Sequence, residues 1–206
     1  MKGKNFFALL LCATLAAGAL SGCSGEKDSP PSSDAPAVQS EEGGQPAAGT
    51  AAQLGSLKSF SAATLDGDSF TQDDIAANDL TVINFWALTC GPCIVEMPDL
   101  AEFSNALPDN VQVVTVCLDA MGNEDVARSV LDEAGFAGAT LVSGDGDLAA
   151  LVENLMYTPT TVFANSEGRL VGDAIIGGQA DLSGTYLAAV NAALKAEGKA
   201  EVSLEQ

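Results

Sequence analysis

The chain has 206 residues, enough for one ordinary domain or two small ones, and 47% of them are apolar against 17% charged, so it is not disordered by composition. Eight basic side chains against 28 acids leave a net charge of −20, which excludes a nucleic acid held by counterion release and a polybasic grip on anionic lipid. There is no histidine, so His-containing triads, His-ligated zinc or copper and haem ligation by His are excluded; carboxylate, hydroxyl and thiol chemistry remain, with five cysteines.

Lys2 and Lys4 precede an uncharged run of 15 residues from Phe6 to Leu20. The run is short for a membrane span, which needs about 20 residues, but it suits the apolar core of a secretory signal. It ends in Leu20-Ser21-Gly22-Cys23 and resembles a bacterial lipoprotein signal, cleaved before a cysteine that becomes lipidated. The alternative is an uncleaved N-terminal anchor with Cys23 incidental. Either reading puts the rest of the chain outside the cytoplasm and beside a membrane. Residues 23–53 then read as the lipidated cysteine and a disordered linker. The stretch from Ser24 holds four prolines (Pro30, Pro31, Pro36 and Pro46), one large aliphatic residue (Val38) and no aromatic. Such a composition cannot bury enough apolar area to offset its chain entropy.

One folded domain is expected over residues 54–198. Ser59 to Leu65 and Ser69 to Thr71 flank Asp66-Gly67-Asp68, a hairpin turn signal. Leu80 to Ala87 is a mostly apolar strand, of the kind covered on both faces. A helix follows from Gly91 to about Ala106, with Pro92 tolerated in its first turn and Pro98 expected to kink it. Val111 to Leu118 is a second buried strand, and Glu124 to Ala134 is a helix burying Val126, Val130, Leu131 and Ala134. Ala139 to Ser143 is a short strand, after which Leu148, Leu151, Val152 and Leu155 fall at helical spacing. Thr160 to Ala164 and Arg169 to Ile176 are strands joined by a turn ending in Gly168. A last helix, Asp181 to about Glu197, buries Leu182, Tyr186, Val190 and Leu194. This order implies an α/β sheet with helices on both faces. Residues 199–206 are polar and read as a frayed tail.

The chemistry lies at Cys90-Gly91-Pro92-Cys93, where a buried strand gives way to a helix. Side chains three apart in a helical turn bring their Cβ atoms to about 5–6 Å, and a disulfide needs about 3.8 Å, so the bond can close and open with little backbone motion. At the helix N-terminus, unpaired N–H groups and the macrodipole favour a thiolate on Cys90. Cys93, one turn further in, is better shielded and serves as the resolving thiol. The alternatives are half of a zinc site and a structural disulfide. Zinc would need two more ligands, with only Cys117 and carboxylates left, and a two-residue loop staples almost nothing.

Asn84-Phe85-Trp86-Ala87-Leu88-Thr89-Cys90-Gly91-Pro92-Cys93, followed by Glu96-Met97-Pro98, resembles the active-site segment of thioredoxin-like proteins, closest to the extracytoplasmic TlpA/ResA-type disulfide reductases. The resemblance implies a thioredoxin fold: a central mixed sheet with helices on both faces, plus an N-terminal β-hairpin. It also implies a cis-proline loop beside the dithiol, matched by Thr158-Pro159-Thr160-Thr161, whose Thr158 backbone would pair with an extended substrate segment. Thr89 departs from the large residue usual in that place, and Asn84 stands where cytoplasmic thioredoxin has a buried aspartate.

Glu96, three residues past Cys93, could take a proton from that thiol; the alternative is a solvated helix acid among 28. Trp86, Gly91, Pro92 and Thr158 complete the expected substrate-binding surface, with Trp86 read mainly as a packing wall. Cys117, in a Val-rich strand, reads as a small buried hydrophobe. The expected function is therefore a membrane-tethered, extracytoplasmic thiol–disulfide oxidoreductase. It would need no cofactor beyond the Cys90–Cys93 disulfide and no metal. Its partners would be exported disulfide proteins and a membrane electron donor of the thiol-relay kind. Gly91-Pro92 between the cysteines resembles the reducing thioredoxins. A thiol peroxidase would want a threonine where Ala87 stands and an arginine beside the cysteine, and only Arg128 and Arg169 exist. The other alternative is a non-catalytic binding lipoprotein.

Overall fold

β3 (Leu80–Trp86) is buried at all seven positions, and its alternating side chains separate two apolar layers. Leu80, Val82 and Trp86 face one layer, Ile83 and Phe85 the other. The computed structural model describes residues 51–205. Beside β3 lies β4 (Val111–Cys117), parallel and in register from Leu80 opposite Val111 to Trp86 opposite Cys117. On the other side of β3, β6 (Thr160–Asn165) runs antiparallel, and β7 (Leu170–Ile176) follows it through the turn at Gly168. That residue has φ of +71°, and a Cβ there would collide with the Leu57 carbonyl oxygen, so only glycine fits. β1 (Ser61–Thr64) and β2 (Ser69–Thr71) form the expected hairpin, which joins the sheet through β5 (Thr140–Gly144). The seven strands run β2-β1-β5-β4-β3-β6-β7, a mixed sheet.

Helices cover both faces. α2 (Gly91–Asn105), α3 (Glu124–Ala134) and α5 (Leu182–Ala196) bury Met97, Leu100, Phe103, Leu131, Val190 and Leu194 against the Trp86 side. α1 (Gln72–Ala76) and α4 (Gly146–Glu153) bury Ile75, Leu148 and Leu151 against the Phe85 side. Each such side chain contributes roughly 1.5–3 kcal/mol by leaving water.

Four expectations need correction. The helix α1 was not anticipated; its five residues are too few for a periodic signal, although Thr71 and Asp74 form a capping box. Val126 is exposed, because the buried stripe of α3 runs through Ala127 and Leu131 instead. The folded part reaches back to a short 3₁₀ turn, Ala51–Gln53, whose Ala51 is fully buried in the Phe85 layer. The C-terminal residues are tied down. Val202 exchanges hydrogen bonds with the Asn191 side chain, Glu205 N–H donates to the Ala106 carbonyl, and Lys199 pairs with Asp79 at 2.6 Å. Val202 and Leu204 rest against the core. α2 continues through Pro98, which cannot donate to the carbonyl of Ile94. Residues 1–50, with the expected signal, Cys23 and most of the linker, lie outside the described residues.

Candidate active site

The short turn after β3 delivers Cys90 to the N-cap of α2. Cys90 and Cys93 are joined in a disulfide with Cα atoms 5.3 Å apart. Cys90 is half-buried, and its Sγ accepts the Cys93 N–H at 3.3 Å, while Cys93 is fully buried. Gly91 and Pro92 are exposed between them. The asymmetry is chemical: an incoming sulfur can reach Cys90 and cannot reach Cys93.

The Thr158–Pro159 peptide is cis, and the Thr158 carbonyl oxygen lies 3.5 Å from Cys90 Sγ. In the disulfide this is a contact, since no S–H remains to donate. Pro159 is buried behind it and Thr158 is half-buried. Met156 and Tyr157, just before this loop, are 82% and 56% exposed. In the sequence their only signal is two large apolar residues directly before Thr158-Pro159.

Glu96 is 5% exposed, on the face of α2 that meets β3. Its Oε1 accepts from Asn84 Nδ2 at 3.3 Å, and Asn84 Nδ2 also donates to Thr161 Oγ1 at 3.0 Å. Thr161 Oγ1 in turn lies 2.7 Å from the Tyr186 hydroxyl. A buried polar chain thus links α2, β3, β6 and α5. Asn84 Oδ1 and Glu96 Oε2 have no close hydrogen-bond partner among the described residues. Burial pushes the Glu96 carboxyl up to about 7, with the nearby Asp99 charge adding to the rise and hydrogen bonds from Asn84 and the Gln179 backbone opposing it. Burial, together with the Glu96 charge, also raises the Tyr186 hydroxyl. A Cβ placed on Gly178 would lie 3.5 Å from Glu96 Oε2 and 3.7 Å from Pro92 Cβ, which puts this loop over the carboxylate. Glu96 is not a solvated helix acid.

Trp86 is fully buried, with its indole N–H unpartnered among the described residues, so it packs as a wall, as read mainly from the sequence, and offers substrate no exposed surface. Its strand parity turns it into the α2 layer, where it packs in the same cluster as Cys93 and Cys117. Cys117 is a buried free thiol, pushed up to about 12 mainly by burial, which leaves it unreactive. Arg128 pairs with Asp66, and Arg169 with Glu167 and Glu197. Neither arginine serves the dithiol in the way a thiol peroxidase requires. Among the described residues no cluster of histidine, cysteine or carboxylate could hold a metal ion. Asp119, absent from the residues singled out in the sequence, hydrogen-bonds the turn before Cys90. It looked like one loop acid among many.

The chain is 31% identical over 110 residues to the thioredoxin-like protein YneN of Bacillus subtilis, covering 53% of this chain and 63% of that protein. It is 28% identical over 102 residues to the thiol:disulfide interchange protein HelX of Rhodobacter capsulatus, covering 50% and 55%. It thus spans between about half and just under two thirds of the length of these curated relatives. Among solved structures, MTB dsbF superposes with a TM-score of 0.52 at 24% identity, over 64% of this chain and 96% of that one. The exposed lipoprotein thioredoxin Etrx1 of Streptococcus pneumoniae gives 0.51 at 21%, over 62% and 96%. At these identities the superpositions speak for the thioredoxin fold. Residues 34–175, which include the dithiol and the cis-proline loop, match the Redoxin family model, and the chain belongs to that family.

Proposed function

We propose that this chain is a thiol–disulfide oxidoreductase that reduces disulfides in exported proteins from a lipid anchor on Cys23, at the outer face of a bacterial membrane. One observation carries the reading: a Cys90–Cys93 disulfide at a helix N-terminus, with one sulfur reachable and the other buried. In the reduced protein the Cys90 thiolate attacks one sulfur of a substrate disulfide, forming a mixed disulfide and releasing one substrate thiolate. The Cys93 thiolate then attacks Cys90 Sγ, closing the intramolecular disulfide and releasing the second substrate thiol. Two electrons pass to the substrate, and a membrane dithiol donor returns two to the pair.

The parts around the sulfurs suit these steps. Hydrogen bonding from the Cys93 N–H and the α2 dipole favours the thiolate on Cys90. The Thr158 backbone, 3.5 Å from Cys90 Sγ, can align an extended segment, with exposed Met156 and Tyr157 directly before it in the chain and Gly91 and Pro92 exposed between the cysteines. Glu96, with its carboxyl near 7, can take the Cys93 proton before the second attack and give it up afterwards. The HelX name records thiol:disulfide interchange, and the Etrx1 description records an exposed lipoprotein. Both accord with this reading.

The test is turnover of a protein disulfide such as insulin by the reduced full chain, with a chemical reductant as electron source. Activity should vanish in Cys90→Ser and in Cys93→Ser. A wild-type chain that neither reduces nor oxidises protein disulfides, yet binds the same proteins after Cys90 is alkylated, would establish a binding lipoprotein instead.

A further inference from the structure

Given the dithiol chemistry proposed above, we infer that Asp119 is the positioning residue for Cys90, its carboxylate holding both central residues of the turn that carries the nucleophile. That turn runs from Ala87 to Cys90 and is closed by the Cys90 N–H donating to the Ala87 carbonyl at 3.0 Å. Its two inner residues are Leu88 and Thr89. The Leu88 N–H donates to Asp119 Oδ1 at 2.7 Å, and the Thr89 hydroxyl to Asp119 Oδ2 at 3.4 Å. One carboxylate therefore reaches both residues directly before the attacking sulfur, one oxygen to each.

The carboxylate is itself fixed. Asp119 stands two residues beyond Cys117, the end of β4, which pairs with Trp86, the end of β3. The Leu118 N–H donates to the Trp86 carbonyl at 2.9 Å, carrying the pairing one residue past the end of β4. The Asp119 carbonyl accepts from Asn123 Nδ2 at 3.1 Å, which ties its far side to the start of α3. The Cys117 thiol is a third donor, 3.6 Å from Oδ1. This gives the odd buried cysteine a place in the same arrangement. The sheet thus sets Asp119, and Asp119 sets the turn.

Position matters because Cys90 Sγ has two neighbours to keep, the Cys93 N–H at 3.3 Å and the Thr158 carbonyl at 3.5 Å. Attack requires the sulfur in line with a substrate disulfide laid along Thr158, and resolution requires it in line with Cys93. A displaced turn spoils both alignments, and misplacement by about 1 Å can cost on the order of a hundredfold in rate. Thr89 has the hydroxyl that this second hydrogen bond uses.

The test compares Asp119→Asn with Asp119→Ala in the full chain. Asparagine keeps an oxygen that can accept the Leu88 N–H and loses the charge; alanine loses both. Two quantities are read: kcat/KM for insulin reduction, and the rate at which iodoacetamide modifies Cys90 in the reduced protein. Asp119→Ala should lose roughly ten- to a hundredfold in kcat/KM and shift the alkylation rate, while Asp119→Asn stays within about threefold of wild type in both. A lowered melting temperature in Asp119→Ala with wild-type alkylation and turnover would overturn the assignment. So would an asparagine variant as impaired as alanine, since charge and not geometry would then be at work. If the alanine variant does not fold, Asp119→Glu is read in its place. It keeps the charge and moves the oxygens by one methylene, so it should be impaired where asparagine is not, and the reverse order contradicts positioning. A wild-type chain without disulfide turnover would fail the function proposed above, while the alkylation comparison would still decide on Asp119.

Discussion

Asn84 Nδ2 donates to Glu96 Oε1 across 3.3 Å, joining the middle of β3 to the second turn of α2 inside the protein. The amide can feed the carboxylate one hydrogen bond and no compensating charge. Burial therefore dominates, and the carboxyl rises to about 7 from its ordinary 4.5. Asn84 Oδ1 and Glu96 Oε2 both lack a close partner among the described residues, and a proton on Glu96 adds a donor to this cluster of oxygens.

The first prediction follows from that proton. An acid whose carboxyl rises on folding binds more protons folded than unfolded. Its contribution to stability is full below about 4.5 and is lost as pH climbs through about 7. Glu96→Gln should remove this dependence. Wild type should lose on the order of 2–3 kcal/mol relative to the variant between these two values, read by urea denaturation across pH. Reductase turnover at neutral pH should fall in the variant, while the first attack by Cys90 is affected less. Stability profiles and turnover that superimpose in wild type and variant would contradict a proton-carrying Glu96.

The second prediction concerns the C-terminal residues. Deleting residues 199–206 removes the ion pair of Lys199 with Asp79, the Val202–Asn191 hydrogen bonds and two partly buried side chains, Val202 and Leu204. The exposed ion pair contributes little. The apolar contacts and hydrogen bonds together are worth about 2–4 kcal/mol. The urea midpoint should fall accordingly, and an unchanged midpoint would mean that the tail is loose.

The contrast between tail and dithiol shows what the sequence could express. Cys90-Gly91-Pro92-Cys93 after an apolar strand is a local pattern, and so is Leu182, Tyr186, Val190 and Leu194 at a spacing of four; both were legible. Glu96 was legible only by its distance from Cys93, and its burial depends on Asn84, twelve positions away on another element. The tail carries no periodicity, because Val202 is held by the Asn191 side chain and Glu205 by the carbonyl of Ala106 at the end of α2. Asp119 was illegible for the same reason. Its role lies in hydrogen bonds to residues 30 and 31 positions away, and a carboxylate after a strand has no pattern of its own.

The third prediction concerns the anchor. Replacing Cys23 by alanine should abolish incorporation of a radioactive fatty acid and leave the chain either uncleaved or shed from the membrane. Label that persists on the Cys23→Ala chain would contradict lipidation at this residue.

The most direct measurement of the central claim is mixed-disulfide trapping by two single variants of the full chain. If Cys90 attacks and the buried Cys93 resolves, Cys93→Ser should accumulate a covalent complex with a disulfide protein through Cys90, and reductant should release it. Cys90→Ser should trap little, since the remaining sulfur is fully buried. Equal trapping by the two variants, or complexes joined through Cys93, would contradict the account.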